Sequence, residues 1–300
     1  MCGIGRIEAG KRCLHNRNGL LTVVFLMSGF LMMFSGVLQG QRSEVGFGVG
    51  GSFYLGDINP KKVFYNTRLA GSIFYRYNID TRLALRFAGS YGRITASDKD
   101  FNNPRNLNFR NDLVDISALL EVNFVNFFTG SQQHRFTPYL ALGAALCFSN
   151  PYGHYFDPVT QDSRWVALRS LHTEGQGLMD YGKKEYSMAQ FVIPFGIGFK
   201  VSISRHVALG LEWMMRLTFT DYLDDVGGNY ADPGRLLSEY GPEAAYFADP
   251  SGTYHAVGAQ RGDKSYFDWY SFAMLTVSIR IGGRDIPCPA YGQKAIKKRR

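Results

Sequence analysis

The sequence predicts an all-β fold: an eight-stranded antiparallel up-and-down transmembrane β-barrel of the outer-membrane type. Three observations predict it. Residues 189–225 hold two long apolar rows of period two. The same pattern recurs along the chain, with connections that alternate between short and long. An apolar run of the kind that directs export precedes the first strand.

The first observation carries the most weight. Ala189, Phe191, Ile193, Phe195, Ile197, Phe199 and Val201 alternate with small or polar residues. After a turn at 204–206, Val207, Leu209, Leu211, Trp213, Met215, Leu217 and Phe219 do the same. Period two is strand periodicity. Each row is long enough to cross a bilayer core at a strand's rise and tilt. The opposite face carries Lys200, Glu212 and Arg216, which lipid would not accept.

Composition excludes the main alternatives. Aromatic residues make up 15% of the 300 residues and glycine supplies 34. Mean hydropathy is only −0.15, too low for a helical membrane protein. The formal net charge of +8 sits at the two ends, because residues 41–283 are charge-neutral. A basic nucleic-acid groove in the body is therefore excluded. At the N-terminus, basic residues through Arg17 precede an apolar run over 20–37, read as a signal peptide over 1–40. The barrel is assigned to 41–283, in contact with outer-membrane lipid, and a basic periplasmic tail to 284–300.

In chain order, strands are expected at 44–56, 65–79, 82–96, 107–128, 135–149, 189–202, 207–219 and 268–281. Turns near 78–81, 130–134 and 204–206 are short. The connections near 57–64, 97–106, 150–187 and 221–265 are long. Short turns on the periplasmic side and long loops outside are the habit of an even-stranded outer-membrane barrel. The inward rows place Arg82, Arg86, Asp115, Glu121, Lys200, Glu212, Arg216 and Arg280 in the lumen. There they can pair and plug a narrow barrel.

Several segments resemble the PorG family, outer-membrane proteins of the type IX secretion system of Bacteroidota. They are GGSFYLGD at 50–57, FYRYN at 74–78, LNFR at 107–110, FTPY at 136–139, TEGQG at 173–177, IPFG at 193–196, FTDYLDDV at 219–226, and Arg261-Gly262 followed by DWY at 268–270. What the resemblance implies is a component of the secretion machinery that contacts the periplasmic PorK–PorN ring. It transfers no catalytic residue. The alternative is a small OmpA/OmpW-like barrel for transport or surface adhesion through its long external loops.

Other features are weighed against plainer readings. Asp221, Asp224 and Asp225 form a candidate calcium cluster in an outer loop, or else a solvated rim or a partner for Arg216. Ser170, His172 and Glu174 could suggest a hydrolase, but their closeness in sequence is poor evidence for a triad. No enzyme activity and no cofactor are predicted. Arg261-Gly262-Asp263 is an adhesion tripeptide that arises readily by chance. In the tail, Cys288, Lys294, Lys297, Lys298, Arg299 and Arg300 are candidate contacts for an acidic periplasmic partner. Cys147 and Cys288 are expected at opposite ends of the barrel, too far apart for a disulfide.

Overall fold

The computed structural model describes residues 43–156 and 161–281. The expected signal peptide and basic tail lie outside the described residues, as do Cys288, Lys294, Lys297, Lys298, Arg299 and Arg300. Ser43–Ile281 forms one compact unit. Its barrel strands are β1 (Ser43–Leu55), β2 (Arg68–Asn78), β3 (Leu83–Ser97), β4 (Asn108–Asn123), β5 (Phe136–Phe148), β8 (Ala189–Ser202), β9 (Val207–Thr218) and β10 (Trp269–Ile281). Each pairs antiparallel with its sequence neighbour in this set. β1 closes on β10, from Ser43 against Ile281 to Leu55 against Trp269. Closure leaves no edge strand, so every barrel strand has a partner on both sides. Among the described residues, no helix is long and apolar enough to cross a membrane.

The barrel is apolar outside and polar inside. β4 shows the alternation cleanly: Val114, Ile116, Leu120 and Val122 are exposed, while Asp115, Ser117, Leu119, Glu121 and Asn123 are buried. Around the wall, Ile73 is 71% exposed and Leu275 is 68% exposed. A soluble protein does not leave so continuous an apolar band in water. Twelve residues of β9, at about 3.3 Å per residue and a tilt of about 40°, rise roughly 30 Å, which matches a bilayer core.

Local chemistry explains the irregularities. β5–β8 pairing runs through Leu142–Phe195 and resumes at Ala145–Val192, skipping Pro194; proline has no N–H to give the ladder. Phe53 has the outward phase of β1 yet is buried, because the ring of Phe64 in the following loop meets it edge-on at 5.0 Å. Gly198 has the inward phase of β8, and a Cβ there would lie 2.3 Å from the ring of Tyr139. Only glycine lets that ring cross the lumen.

Two connections differ from expectation. β4 ends at Asn123 rather than near 128. Residues 124–135 instead fold under the barrel, burying Phe127 and Thr129. Gly130, with φ +96°, makes the turn and donates its N–H to Ser202 Oγ at 2.8 Å. The segment 150–187 lacks a sustained period but forms a hairpin, β6 (Pro151–Phe156) and β7 (Ser163–Ala167), which continues from the upper end of β4. The last long loop supplies helices α1 (Pro233–Tyr240) and α2 (Pro242–Ala248). Asp232 caps α1 by accepting from Gly234 N–H, and proline opens both helices where a missing N–H is harmless. Leu171, Leu236, Ala244, Phe247 and Ala248 build a small core between these elements. The long loops thus form a folded cap.

Candidate functional site

Two buried polar networks lie one above the other in the barrel. The lower fills the lumen. Arg76 binds Glu44 through Nη1 at 2.8 Å and Glu121 through Nε at 2.9 Å. Arg86 reaches Glu121 at 3.2 Å and Glu212 at 2.6 Å. Lys200 Nζ donates to Glu121 Oε2 at 2.7 Å. Tyr139 donates to Glu212 at 2.6 Å, and Thr129 from the folded-in turn donates to Glu44 at 2.7 Å. Three carboxylates meet three cations, all buried. Above them Arg216 pairs with Asp115 at 3.1 Å and lies 4.2 Å over the ring of Phe272. This packing closes the lumen with balanced charge.

Six of the eight expected lumen residues belong here: Arg86, Asp115, Glu121, Lys200, Glu212 and Arg216. Arg280 has the inward phase but sits half-buried at the periplasmic mouth, donating to Thr129 O at 3.1 Å. Arg82 is not in the lumen. The Asp80 carboxylate accepts from the N–H groups of Arg82 and Leu83, which starts β3 one residue later and leaves Arg82 exposed against Asn126. Glu44 and Arg76 were not expected. Their signal was phase: Glu44 shares the inward row with Gly46 and Gly48, and Arg76 with Phe74 and Asn78.

The upper network latches the cap. Glu174 Oε1 accepts from the N–H groups of Gly227 and Gly228 at 3.1 and 3.0 Å and from Arg261 at 3.1 Å. Its Oε2 accepts from Lys183 and Tyr222. A Cβ on Gly228 would stand 2.5 Å from that oxygen and would push the carboxylate away from its donors. Asp225 accepts from Thr173 and Tyr186 at 2.5 and 2.7 Å. Arg261 also donates to Asp225 O, and Arg105 donates to Arg261 O and Asp57 O. Asp57 accepts from Asp263 N–H. All four long loops meet at this point.

Tyr54 links the latch to the barrel wall. Its hydroxyl lies 2.6 Å from Asp224 Oδ2 and 2.9 Å from Asp268 Oδ1. One hydroxyl proton cannot serve both acceptors, so one of these carboxyls carries a proton and donates. The electrostatics agree. Burial, aided by Asp57, pushes the Asp221 carboxyl up to about 8. Burial and Asp57 likewise raise Asp224 to about 8. Burial raises Asp225 to about 6, with Arg261 opposing. Burial raises Asp268 as well, reinforced by Asp224 and Asp221. Several of these acids hold protons at neutral pH.

The remaining candidates resolve differently. Asp221, Asp224 and Asp225 are buried rather than forming a solvated rim, and Arg216 is engaged by Asp115. Asp224 and Asp225 turn to different donors, and no metal-holding group of three or more acidic, His or Cys side chains occurs among the described residues. Glu174 is consumed by the latch, His172 faces Glu185 at 3.5 Å, and Ser170 Oγ donates to Ala167 O. These three side chains do not assemble into a triad. Arg261 is 3% exposed, so the adhesion tripeptide is not displayed. Cys147 is buried and free.

Residues 20–162 match the family described as a domain of unknown function (DUF6089). No relative among the curated proteins matches the chain. Among solved structures, the chain is similar to Ail, the attachment invasion locus protein of Yersinia pestis, at 8% identity and TM-score 0.37, over 79% of this chain and 97% of that one. It is similar to Neisserial surface protein A at 12% identity and TM-score 0.38, over 80% and 97%. A major outer membrane protein from Thermus thermophilus gives 12% identity and TM-score 0.39, over 79% and 98%. Likenesses this distant carry no function. The closed register, the outward apolar belt and the charged lumen establish the fold by themselves: the chain is an eight-stranded β-barrel of the outer membrane.

Proposed function

We propose that this barrel is a non-enzymatic component of the type IX protein secretion machinery, contacting the periplasmic PorK–PorN ring. One observation carries the reading. Four of the segments that resemble the PorG family, scattered over some two hundred residues, converge on the cap latch. GGSFYLGD contributes Tyr54 and Asp57; TEGQG contributes Thr173 and Glu174; FTDYLDDV contributes Asp224 and Asp225; the last segment contributes Arg261 and Asp268. The resemblance therefore concerns one three-dimensional unit rather than isolated strand fragments. The filled lumen supports an anchoring role over a conducting one, since its charged side chains satisfy one another.

The test is affinity capture of the tagged full chain from gently solubilised outer membranes. Ring proteins are expected in the eluate, and removing residues 284–300 is expected to reduce them if the basic tail is the dock. An eluate free of ring proteins after in-cell crosslinking would remove the secretion role. A second reading, a surface-adhesion barrel, draws on the exposed side chains of the cap: Met179 is 98% exposed, Tyr254 83% and Tyr266 72%. It would be favoured if cells lacking the protein secreted normally but lost attachment.

A further inference from the structure

On one side of the wall the barrel rises in a step. β2–β3 pairing ends at Ala70–Gly92, while β3–β4 pairing runs on to Ser97–Asn108. A groove of about 790 Å³ opens on the outer surface at this step. Its level relative to the membrane follows from the strand rows. The outward row of β3 ends its apolar run at Tyr91 and continues with Arg93 and Thr95; that of β4 ends at Val114 and continues with Asp112 and Arg110. Tyr91 stands opposite Val114, Arg93 opposite Asp112, and Thr95 opposite Arg110. Same-face residues are spaced roughly 7 Å along a tilted strand, so these charges lie about 5 to 10 Å above the apolar belt, in the headgroup layer.

The groove is basic. Arg68, Arg93, Lys99 and Arg110 line it. Arg93 is forked onto Asp112 at 2.6 and 3.1 Å. The one carboxylate in the lining, Asp100, accepts from Asn66. Among the described residues no carboxylate lies within ion-pair distance of Arg68, Lys99 or Arg110, and Arg110 acts on Asp112 only from further off. Arg110 is held in place, its guanidinium 4.6 Å over the Trp165 ring, and its Nε is buried without a hydrogen-bond partner. Other parts of the upper wall are unlike this: Phe148, Phe191, Phe219 and Phe267 are exposed there, an aromatic girdle of the ordinary kind.

We propose that this groove binds the phosphate-bearing headgroup of an outer-leaflet lipid. Guanidinium groups match phosphate oxygens with paired donors, and Lys99 adds a mobile charge. Trp165 and Tyr91 supply the amphipathic rings that favour this depth. The acyl chains would lie down the row of Leu69 and Ile73, both more than two-thirds exposed. The site depends on the barrel's place in the membrane and not on any role in secretion.

Native mass spectrometry of the detergent-solubilised full chain tests it, with bis-phosphorylated lipid A as the probe. One saturable lipid is expected. Arg68→Gln/Lys99→Gln/Arg110→Gln together should weaken binding about a hundredfold, and Arg68→Gln alone, at an exposed side chain, about fivefold. Lipid A stripped of its phosphates should bind far more weakly to the unaltered chain, which needs no variant to fold. Equal binding of the stripped lipid, or unchanged affinity in a folded Arg68→Gln variant, would overturn the proposal. Displacement of lipid A by low millimolar inorganic phosphate would make this a free-anion site and overturn it equally.

Discussion

The lumen and the cap both bury charge, but they balance it differently. In the lumen, Glu44, Glu121 and Glu212 meet Arg76, Arg86 and Lys200 one for one. In the cap, Asp57, Asp98, Glu174, Asp221, Asp224, Asp225 and Asp268 outnumber the cations: Arg105 pairs with Asp98, and Arg261 and Lys183 both pair with Glu174. The surplus carboxyls are stabilised by holding protons. The difference follows from surroundings. A charge in the lumen is sealed inside the barrel wall at membrane depth, so a missing counter-ion has no substitute. The cap stands in water, where protons exchange freely. The cap should therefore be the more sensitive of the two to a rise toward pH 8.

The largest expected effect comes from removing the hub of the lumen. Glu121→Ala would leave Arg76, Arg86 and Lys200 buried together, a loss of about 3–5 kcal/mol. The heat-dependent gel shift of the folded barrel should then move to markedly lower temperature. An unmoved transition would mean that the lumen network does not hold the barrel. Next comes Glu174→Gln, which weakens bonds from Arg261, Lys183 and two glycine amides. A loss of about 2–3 kcal/mol is expected, confined to the cap. Limited proteolysis of the outer loops should accelerate while the barrel's own transition stays put. If both move together, the two networks are one cooperative unit.

The pH dependence sharpens the contrast. Asp221 and Asp224 ordinarily release protons near 3.8 but here near 8. Between those values the folded cap binds more protons than the unfolded cap. Its stability therefore falls as pH rises through that window and levels off above it. Amides of Leu223 and Val226, bonded to Asp268 and Asp224, should lose exchange protection toward pH 8 after correction for intrinsic rates. Amides of β4 should lose less. Asp224→Asn should flatten the profile; a profile as steep as before would move the titration elsewhere. The smallest effect is at Arg82, which is exposed at its turn. Arg82→Ala should change stability by under about 0.5 kcal/mol, whereas a large loss would return it to the lumen.

Sequence pattern reveals these two regions unequally, for a physical reason. Strand phase is local. Once lipid is taken as the outside, alternate residues assign themselves, and Arg86, Glu121, Lys200 and Glu212 emerge as lumen residues without reference to partners. Arg82 failed because phase does not say where a strand stops; the Asp80 turn does. The cap is not local. Tyr54 meets Asp224 and Asp268 across 170 and 214 residues, and Glu174 meets Arg261 across 87. No periodicity links them, so Glu174 resembled half of a catalytic pair and Arg261 part of an adhesion tripeptide. Their roles as latch residues appear only when the loops are folded over the barrel.

Planar-bilayer recording of the purified full chain tests the filled lumen most directly. The balanced network of Arg76, Arg86, Lys200, Glu44, Glu121 and Glu212 predicts no stable conductance step at neutral pH. Long-lived, uniform steps from protein verified as folded would contradict it and make the barrel a channel.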